Sequence, residues 1–408
     1  MSFFRSRWVE KPAHVTELDA AALPSGFTAA GAAAGLKPDG LDVGVLFCET
    51  ETVSAARFTT NARVGAPVIV SREAALDQLR AVVANAGCSN VGDGSRGIDT
   101  ARAMQAEAAA VLGIEAEQVG VASTGVIGTE LARDRVLAGI RDCCADLSTD
   151  ADAFSRAILS SDRAPKRACL EVALPSGGKV RLAGQAKGAG MIAPRHATMF
   201  CFVETDAALP QPTLDLLLGV CVKRSFDRIS VDGQLSTSDT VFAIAGGGSG
   251  VEVAPESQDE LAFGEAMDAL LRQLAMEIVA DGEGARRVGR IIVRGRPEAV
   301  EPVARSVAYS PLVKTALHGG DPNFGRILQA AGQAWPPGDA FVADLEIEGL
   351  QVVSAGDAIE FELRDLTERV QRDEVEYALT VPGSGGETEV YFSDLSEQYV
   401  RFNSEYTS

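Results

Sequence analysis

Between residues 259 and 280, Phe263, Met267, Leu270, Leu271, Leu274 and Ile278 recur at spacings of three and four. At 3.6 residues per turn these side chains share one face of a long helix, which stops at Asp281-Gly282-Glu283-Gly284. A face of that length commits the chain to a core large enough to cover it. With 408 residues the chain can bury one, in two or three domains. Strand signals alternate with helical ones elsewhere. Ile98–Leu112 reads as an Ala-rich helix stopped by Gly113, and Val119–Ser123 as a short buried strand running into Thr124-Gly125. Two strands between Ala168 and Ala186 flank Pro175-Ser176-Gly177-Gly178, a hairpin signal. The pattern is mixed α/β. Breaker clusters at Gly247–Gly250 and Pro336-Pro337-Gly338 accompany a smaller C-terminal lobe beginning near residue 285.

Charge narrows the partners. With 37 Lys and Arg against 57 Asp and Glu, the formal net charge is −20. That argues against nucleic acid, which needs clustered cations, and against an anionic membrane surface. No apolar run approaches the roughly 20 residues of a membrane helix. The opening Met-Ser-Phe-Phe-Arg-Ser-Arg-Trp has no apolar run followed by a small-residue cleavage site, so no signal peptide is expected. Seven scattered cysteines without a Cys-x-x-Cys pair suit reduced thiols in a cytoplasm. Three histidines (His14, His196, His318) are too few for a zinc site of usual spacing, and no metal is expected. If the chain is a hydrolase or transferase, its general base is then not expected to be an imidazole.

The stretch Lys187-Gly188-Ala189-Gly190-Met191-Ile192-Ala193-Pro194-Arg195-His196-Ala197-Thr198-Met199-Phe200 carries the chemistry. Two glycines and a proline keep the backbone before Thr198 irregular, and an apolar strand begins after it. A threonine at such a junction can be exposed as a nucleophile, but a hydroxyl needs a base. If the Ala197–Thr198 bond is broken, the new α-amine supplies one. Its reference pKa of roughly 7.7–8.0 leaves a useful fraction neutral near pH 7. Spacing alone favours an ordinary β-branched residue opening a strand.

That stretch resembles the Lys-Gly-x-Gly-Met-Ile-x-Pro-x-x-Ala-Thr-Met signature of the ornithine acetyltransferases (glutamate N-acetyltransferases) of arginine biosynthesis. Further matches follow in the family's order: Pro24-Ser25-Gly26-Phe27-Thr28-Ala29-Ala30-Gly31, Ala34-Gly35-Leu36-Lys37 and Phe58-Thr59-Thr60-Asn61. Ser123-Thr124-Gly125-Val126-Ile127-Gly128, Ser230-Val231-Asp232-Gly233 and Ser236-Thr237-Ser238-Asp239-Thr240 come next. Asp281-Gly282-Glu283-Gly284 and Asp321-Pro322-Asn323-Phe324-Gly325-Arg326 complete the set.

The resemblance implies a four-layer α-β-β-α sandwich of the kind also seen in DmpA-type aminopeptidases, with a smaller second domain. It implies self-cleavage between Ala197 and Thr198 into an α chain (1–197) and a β chain (198–408), assembling as (αβ)₂ or larger. Thr198 would take the acetyl group of N-acetylornithine and pass it to glutamate, with no metal or organic cofactor; acetyl-CoA is an open second donor. Thr124 and Gly125 would form the oxyanion hole. Ser160, Lys187, Glu283, Asn403 and Ser408 would contact substrate: Lys187 its α-carboxylate, Glu283 its free ammonium, and the last two from a C-terminal tail folded into the site.

Three places depart from the family. Ser160-Ser161-Asp162-Arg163-Ala164-Pro165-Lys166 replaces Thr-Thr-Asp-Thr-x-Pro-Lys, so Arg163 either alters the substrate or faces water. Gln234-Leu235 and Cys88 are the others. His196 is read as a bystander, since the α-amine already provides a base. Two rival functions stay open: a self-processing amidohydrolase or aminopeptidase in which water accepts the acyl group, and an uncleaved, non-enzymatic paralogue. A specialised-metabolism acyltransferase using another donor is also compatible.

Overall fold

A computed structural model describes residues 2–193 and 199–405. Strands β1 (Val15–Glu17), β2 (Phe27–Ala32), β3 (Val43–Cys48) and β4 (Val53–Phe58) precede helix α1 (Ala66–Arg72). Next come β5 (Ala81–Asn85), α2 (Gly94–Leu112), β6 (Val119–Ser123), α3 (Arg133–Ala145) and α4 (Asp152–Ala157). Then follow β7 (Lys166–Ala173), β8 (Lys179–Lys187), β9 (Phe200–Thr205), α5 (Gln211–Arg224), β10 (Ile229–Ser230), β11 (Thr240–Ala245) and α6 (Gln258–Ala280). The C-terminal part holds β12 (Val288–Gly295), α7 (Pro297–Tyr309), α8 (Pro311–Gly319), α9 (Phe324–Gln333), β13 (Asp344–Ile347) and β14 (Leu350–Ser354). It closes with β15 (Asp357–Ala358), α10 (Leu363–Arg369), β16 (Glu374–Thr380), β17 (Gly386–Ser393) and α11 (Glu397–Glu405).

The strands form a six-stranded sheet ordered β1-β7-β8-β9-β11-β4, a four-stranded sheet β2-β3-β5-β6 and a seven-stranded sheet β10-β17-β12-β16-β13-β14-β15. Strand alternation explains how the first two stack. On β9, Phe200 and Phe202 point to one face and Cys201 and Val203 to the other. The phenylalanines pack with Phe242 of β11 against Phe27, Leu46, Val82 and Ala122 of the four-stranded sheet. Cys201 and Val203 pack beneath α5 and α6, against Leu214, Leu218, Phe263, Leu270 and Leu274. The outer face of the four-stranded sheet, through Val43, Val45, Val83 and Val121, is covered by Met104 of α2 and Ile140 of α3. Helices, sheet, sheet and helices therefore make four layers. The seven-stranded sheet has its own core with α7 and α9, built on Ile291, Val293, Val303, Val307 and Ile327.

Local signals account for the elements near the site. Helix α6 starts where Ser257 accepts the Glu260 N–H, with Asp259 and Glu260 in the first turn. Helix α2 begins four residues earlier than expected, at Gly94. Packing holds the weak helix former Gly97 in place, with Asn90 Nδ2 donating to its carbonyl at 2.9 Å. It ends at Gly113, whose φ of +71° is the left-handed cap. Strand β9 pairs parallel with β11, Phe200 opposite Thr240, which sets Met199 beside Asp239.

Candidate active site

Lys187 closes β8 and is buried. A buried ammonium needs partners. Its Nζ donates to Ser160 Oγ at 2.6 Å and to Thr124 Oγ1 at 3.3 Å, and lies 3.7 Å from Asp162 Oδ2. Burial holds this lysine below its ordinary pKa, with Asp162 opposing that trend. Residues 124, 160 and 187, distant in sequence, thus meet at one cation.

Thr124 and Gly125 leave the end of β6. Thr124 is buried and its N–H donates to the Asn85 carbonyl at 2.9 Å. Gly125 has φ +123°, and a Cβ there would come within 2.4 Å of the Gly87 carbonyl carbon, so only glycine fits. Among the described residues, the Gly125 N–H has no hydrogen-bond partner.

Asp162 organises the floor. Its Oδ1 accepts from Lys166 Nζ at 2.6 Å and from the Gly188 N–H at 2.6 Å, and its Oδ2 from the Ser160 N–H at 3.2 Å. Burial pushes this carboxyl up, but Lys187 and Lys166 outweigh burial and hold it below the usual carboxylate range. Lys166 also donates to Asp281 Oδ2 at 2.6 Å. Arg163, the departure from the family, donates from Nε to Asp281 Oδ1 at 2.7 Å and from its other guanidinium end to the Ala280 carbonyl at 2.8 Å. It is an exposed cation on the C-terminal end of α6, favourable by the helix dipole, and makes no bond to Lys187.

The backbone after Lys187 is held at successive points. Gly188 is tied to Asp162, the Ala189 carbonyl accepts from the Glu283 N–H at 2.9 Å, and Asp232 accepts from Met191 N–H at 2.7 Å and Ile192 N–H at 3.0 Å. Downstream, Met199 N–H donates to Asp239 Oδ1 at 3.0 Å, and its carbonyl accepts from Thr240 N–H at 3.2 Å. Thr198, Ala197 and His196 lie outside the described residues, as does Ser408.

Glu283 follows α6 and leans over this loop. A Cβ on Gly190 would sit 2.4 Å from its Oε1, so the absence of a side chain there makes room for the carboxylate. Its Oε2 accepts from Asn403 Nδ2 at 2.8 Å, and Tyr399 Oη donates to Asp232 Oδ2 at 3.4 Å. Helix α11 is thereby fastened to the site by two side chains one turn apart. Thr124, Ser160 and Lys187 are joined directly. Glu283 and Asn403 are joined to each other and act on Lys187 through the charge of Glu283.

Three buried or nearly buried acids, Asp162, Asp232 and Asp239, hold this arrangement and had no role assigned from sequence. The signal available for them was an acid inside a glycine- or serine-rich motif. Of the other histidines, His14 Nε2 lies 2.9 Å from the Ala262 carbonyl and His318 Nδ1 2.7 Å from Asp394 Oδ2, neither at Lys187. Among the described residues no group of His, Cys, Asp and Glu is placed to hold a metal, and no helix is long and apolar enough to cross a membrane.

Comparison with known proteins places these residues in a family. A protein named arginine biosynthesis bifunctional protein ArgJ from Symbiobacterium thermophilum is 39% identical over 391 residues, covering 94% of this chain and 97% of that one. The protein of the same name from Chlorobaculum tepidum is 37% identical over 399 residues, covering 96% and 98%. A crystal structure of the ArgJ protein from Bacillus halodurans is 35% identical and covers 45% of this chain and 97% of that one, with a TM-score of 0.42. The model of the ArgJ family matches residues 28–408, a span that holds every side chain of the site just described. The chain belongs to the ArgJ family.

Proposed function

We propose that this protein is a bifunctional acetyltransferase of arginine biosynthesis that cleaves itself between Ala197 and Thr198 and carries acetyl groups on Thr198. The observation that carries the reading is the buried Lys187 ammonium shared by the Ser160 and Thr124 hydroxyls. Because Thr124 Oγ1 accepts from Lys187, its own O–H proton is turned away from the ammonium, and among the described residues the Gly125 N–H has no partner. Two adjacent donors beside a cation suit a developing oxyanion.

In the precursor, Thr198 Oγ attacks the Ala197 carbonyl carbon and the C–N bond breaks, leaving an ester and a free α-amine. Water then hydrolyses the ester. In transfer, the α-amine takes the hydroxyl proton as Oγ attacks the acetyl carbonyl of N-acetylornithine, and ornithine leaves with that proton. The amine of glutamate attacks the acetyl-threonine and releases N-acetylglutamate. Glu283, half-buried beside Gly190 and braced by Asn403, supports recognition of the ammonium of a diamino acid. Lys187 and Ser160 are the partners for its α-carboxylate.

Acetyl-CoA is proposed as the second donor, in line with the word bifunctional in the relatives' names. No metal or organic cofactor enters these steps. The assembly is proposed to be (αβ)₂, checked by sedimentation of the purified protein. The test of function is direct. Mass spectrometry of the pure protein is expected to give two chains meeting at 197/198. Incubation with N-acetylornithine and glutamate, and separately with acetyl-CoA and glutamate, is expected to yield N-acetylglutamate in both. An intact single chain, or acetate release without N-acetylglutamate, would overturn the reading.

A further inference from the structure

Asp239 lies in the Ser236–Thr240 motif, immediately before β11, and is fully buried. One oxygen, Oδ1, takes the Met199 N–H at 3.0 Å. The other, Oδ2, is buried with no hydrogen-bond partner among the described residues. The Asp239 backbone carbonyl takes the Thr59 N–H at 3.1 Å, which fixes the backbone here, and the Met199 N–H restrains the carboxyl itself. A buried carboxyl oxygen left unpaired is costly, and native structures retain few of them.

Cleavage before Thr198 creates two new polar groups, the α-carboxylate of Ala197 and the α-amine of Thr198, and only the amine can donate a hydrogen bond to a carboxylate oxygen. The amine is three covalent bonds from the Met199 nitrogen, and bond lengths alone keep the two nitrogens within about 4 Å of each other. We infer that Asp239 is the acceptor for this α-amine, and that it sets the pH range over which the amine can act as a base. The inference rests on the proposed cleavage. In the uncleaved chain burial raises the Asp239 carboxyl well above its ordinary range, against the Met199 N–H, the nearby Thr59 and Ser236 hydroxyls and Lys187. Once the amine is free, amine and carboxyl share one proton, and the working base appears only when that proton leaves.

The other charges around this point belong to neighbouring elements. Lys187 of β8 faces Asp239 and is itself flanked by Asp162, Lys166 and Glu283. From α1, Arg72 donates to the Thr59 carbonyl at 3.0 Å. Lys187 lowers the affinity of the pair for its proton and Asp239 raises that of the amine, so removing the carboxylate has a defined sign.

The test is the Asp239→Asn variant, which keeps an oxygen for the Met199 N–H. In the processed variant the acid limb of the kcat/KM–pH profile for acetyl transfer is expected to move down by about one pH unit, within the range an adjacent opposite charge produces. An unmoved limb would overturn the inference. Should the variant fail to fold or process, competitive labelling of the Thr198 α-amine in the unaltered protein decides it. An amine titrating above the reference of about 8 supports the pairing, and one at or below it refutes it. An unaltered protein that remains a single chain overturns the cleavage reading, and this inference with it.

Discussion

Glu204 sits in the middle of β9, fully buried between the two stacked sheets. Its Oε2 accepts from Gln185 Nε2 at 3.0 Å, while its Oε1 and Gln185 Oε1 have no hydrogen-bond partner among the described residues. Burial pushes this carboxyl from its ordinary 4.5 up to about 8, against the one Gln185 hydrogen bond. The native state therefore holds a proton that the unfolded chain releases near pH 4.5. Stability is greatest below that pH and falls as pH rises towards 8. At about 1.4 kcal/mol per pH unit, the loss is about 3 kcal/mol by pH 7 and about 5 kcal/mol above pH 8. Glu204→Gln keeps the shape, removes the titration and offers an N–H to Gln185 Oε1. Relative to the parent–variant difference at pH 5, the variant is expected to gain about 2.5 kcal/mol at pH 7 and about 4 kcal/mol at pH 8.5. Urea unfolding of both proteins at one concentration and at each pH reads the difference, and other titrating groups cancel in it. A parent–variant difference that stays constant from pH 5 to 8.5 would refute the reasoning.

Thr124→Ala removes one of the two donors proposed for the oxyanion and is expected to slow acetyl transfer by about 10²–10³ in kcat, with the fold intact by circular dichroism. Gly190→Ala places a Cβ where Glu283 Oε1 now lies, 2.4 Å away. Displacement of that carboxylate is expected to raise KM for N-acetylornithine far more than KM for acetyl-CoA in steady-state assays. Lys166→Met strips Asp162 and Asp281 of a shared buried partner and is expected to cost about 3–5 kcal/mol, read by denaturant unfolding. Deleting residues 403–408 removes Asn403 from Glu283 and is expected to abolish transfer from N-acetylornithine, as followed by ornithine release.

Local chemistry made several elements legible from sequence alone. The apolar spacing of 259–280 is realised as α6, the run 119–123 as β6, and the turn at Pro175–Gly178 as the hairpin joining β7 and β8. Periodicity and turn residues act over a few neighbours, so a single chain carries that information in order. The motifs likewise pointed to Thr124, Ser160 and Lys187, and the structure joins them through hydrogen bonds from Lys187 Nζ. Arg163 was read from sequence as a substrate determinant or a solvent-facing cation; the fold leaves it exposed and engages it at the end of α6.

Only the tertiary structure decided how these pieces face one another. The six-stranded order β1-β7-β8-β9-β11-β4 unites strands from both sides of Thr198. The parallel pairing of β9 with β11 sets Asp239 against Met199. Asn403 reaches Glu283 across 120 residues of sequence, and Asp162 bridges Lys166, Lys187 and Gly188. None of these contacts follows from propensity, because each depends on which buried surfaces meet. An acid alone in sequence reads as a solvated turn; only burial beside particular N–H groups and lysines makes it part of a site. Residue types and local rhythm thus specified the elements and the family, while long-range packing specified the polar network that the proposed chemistry uses.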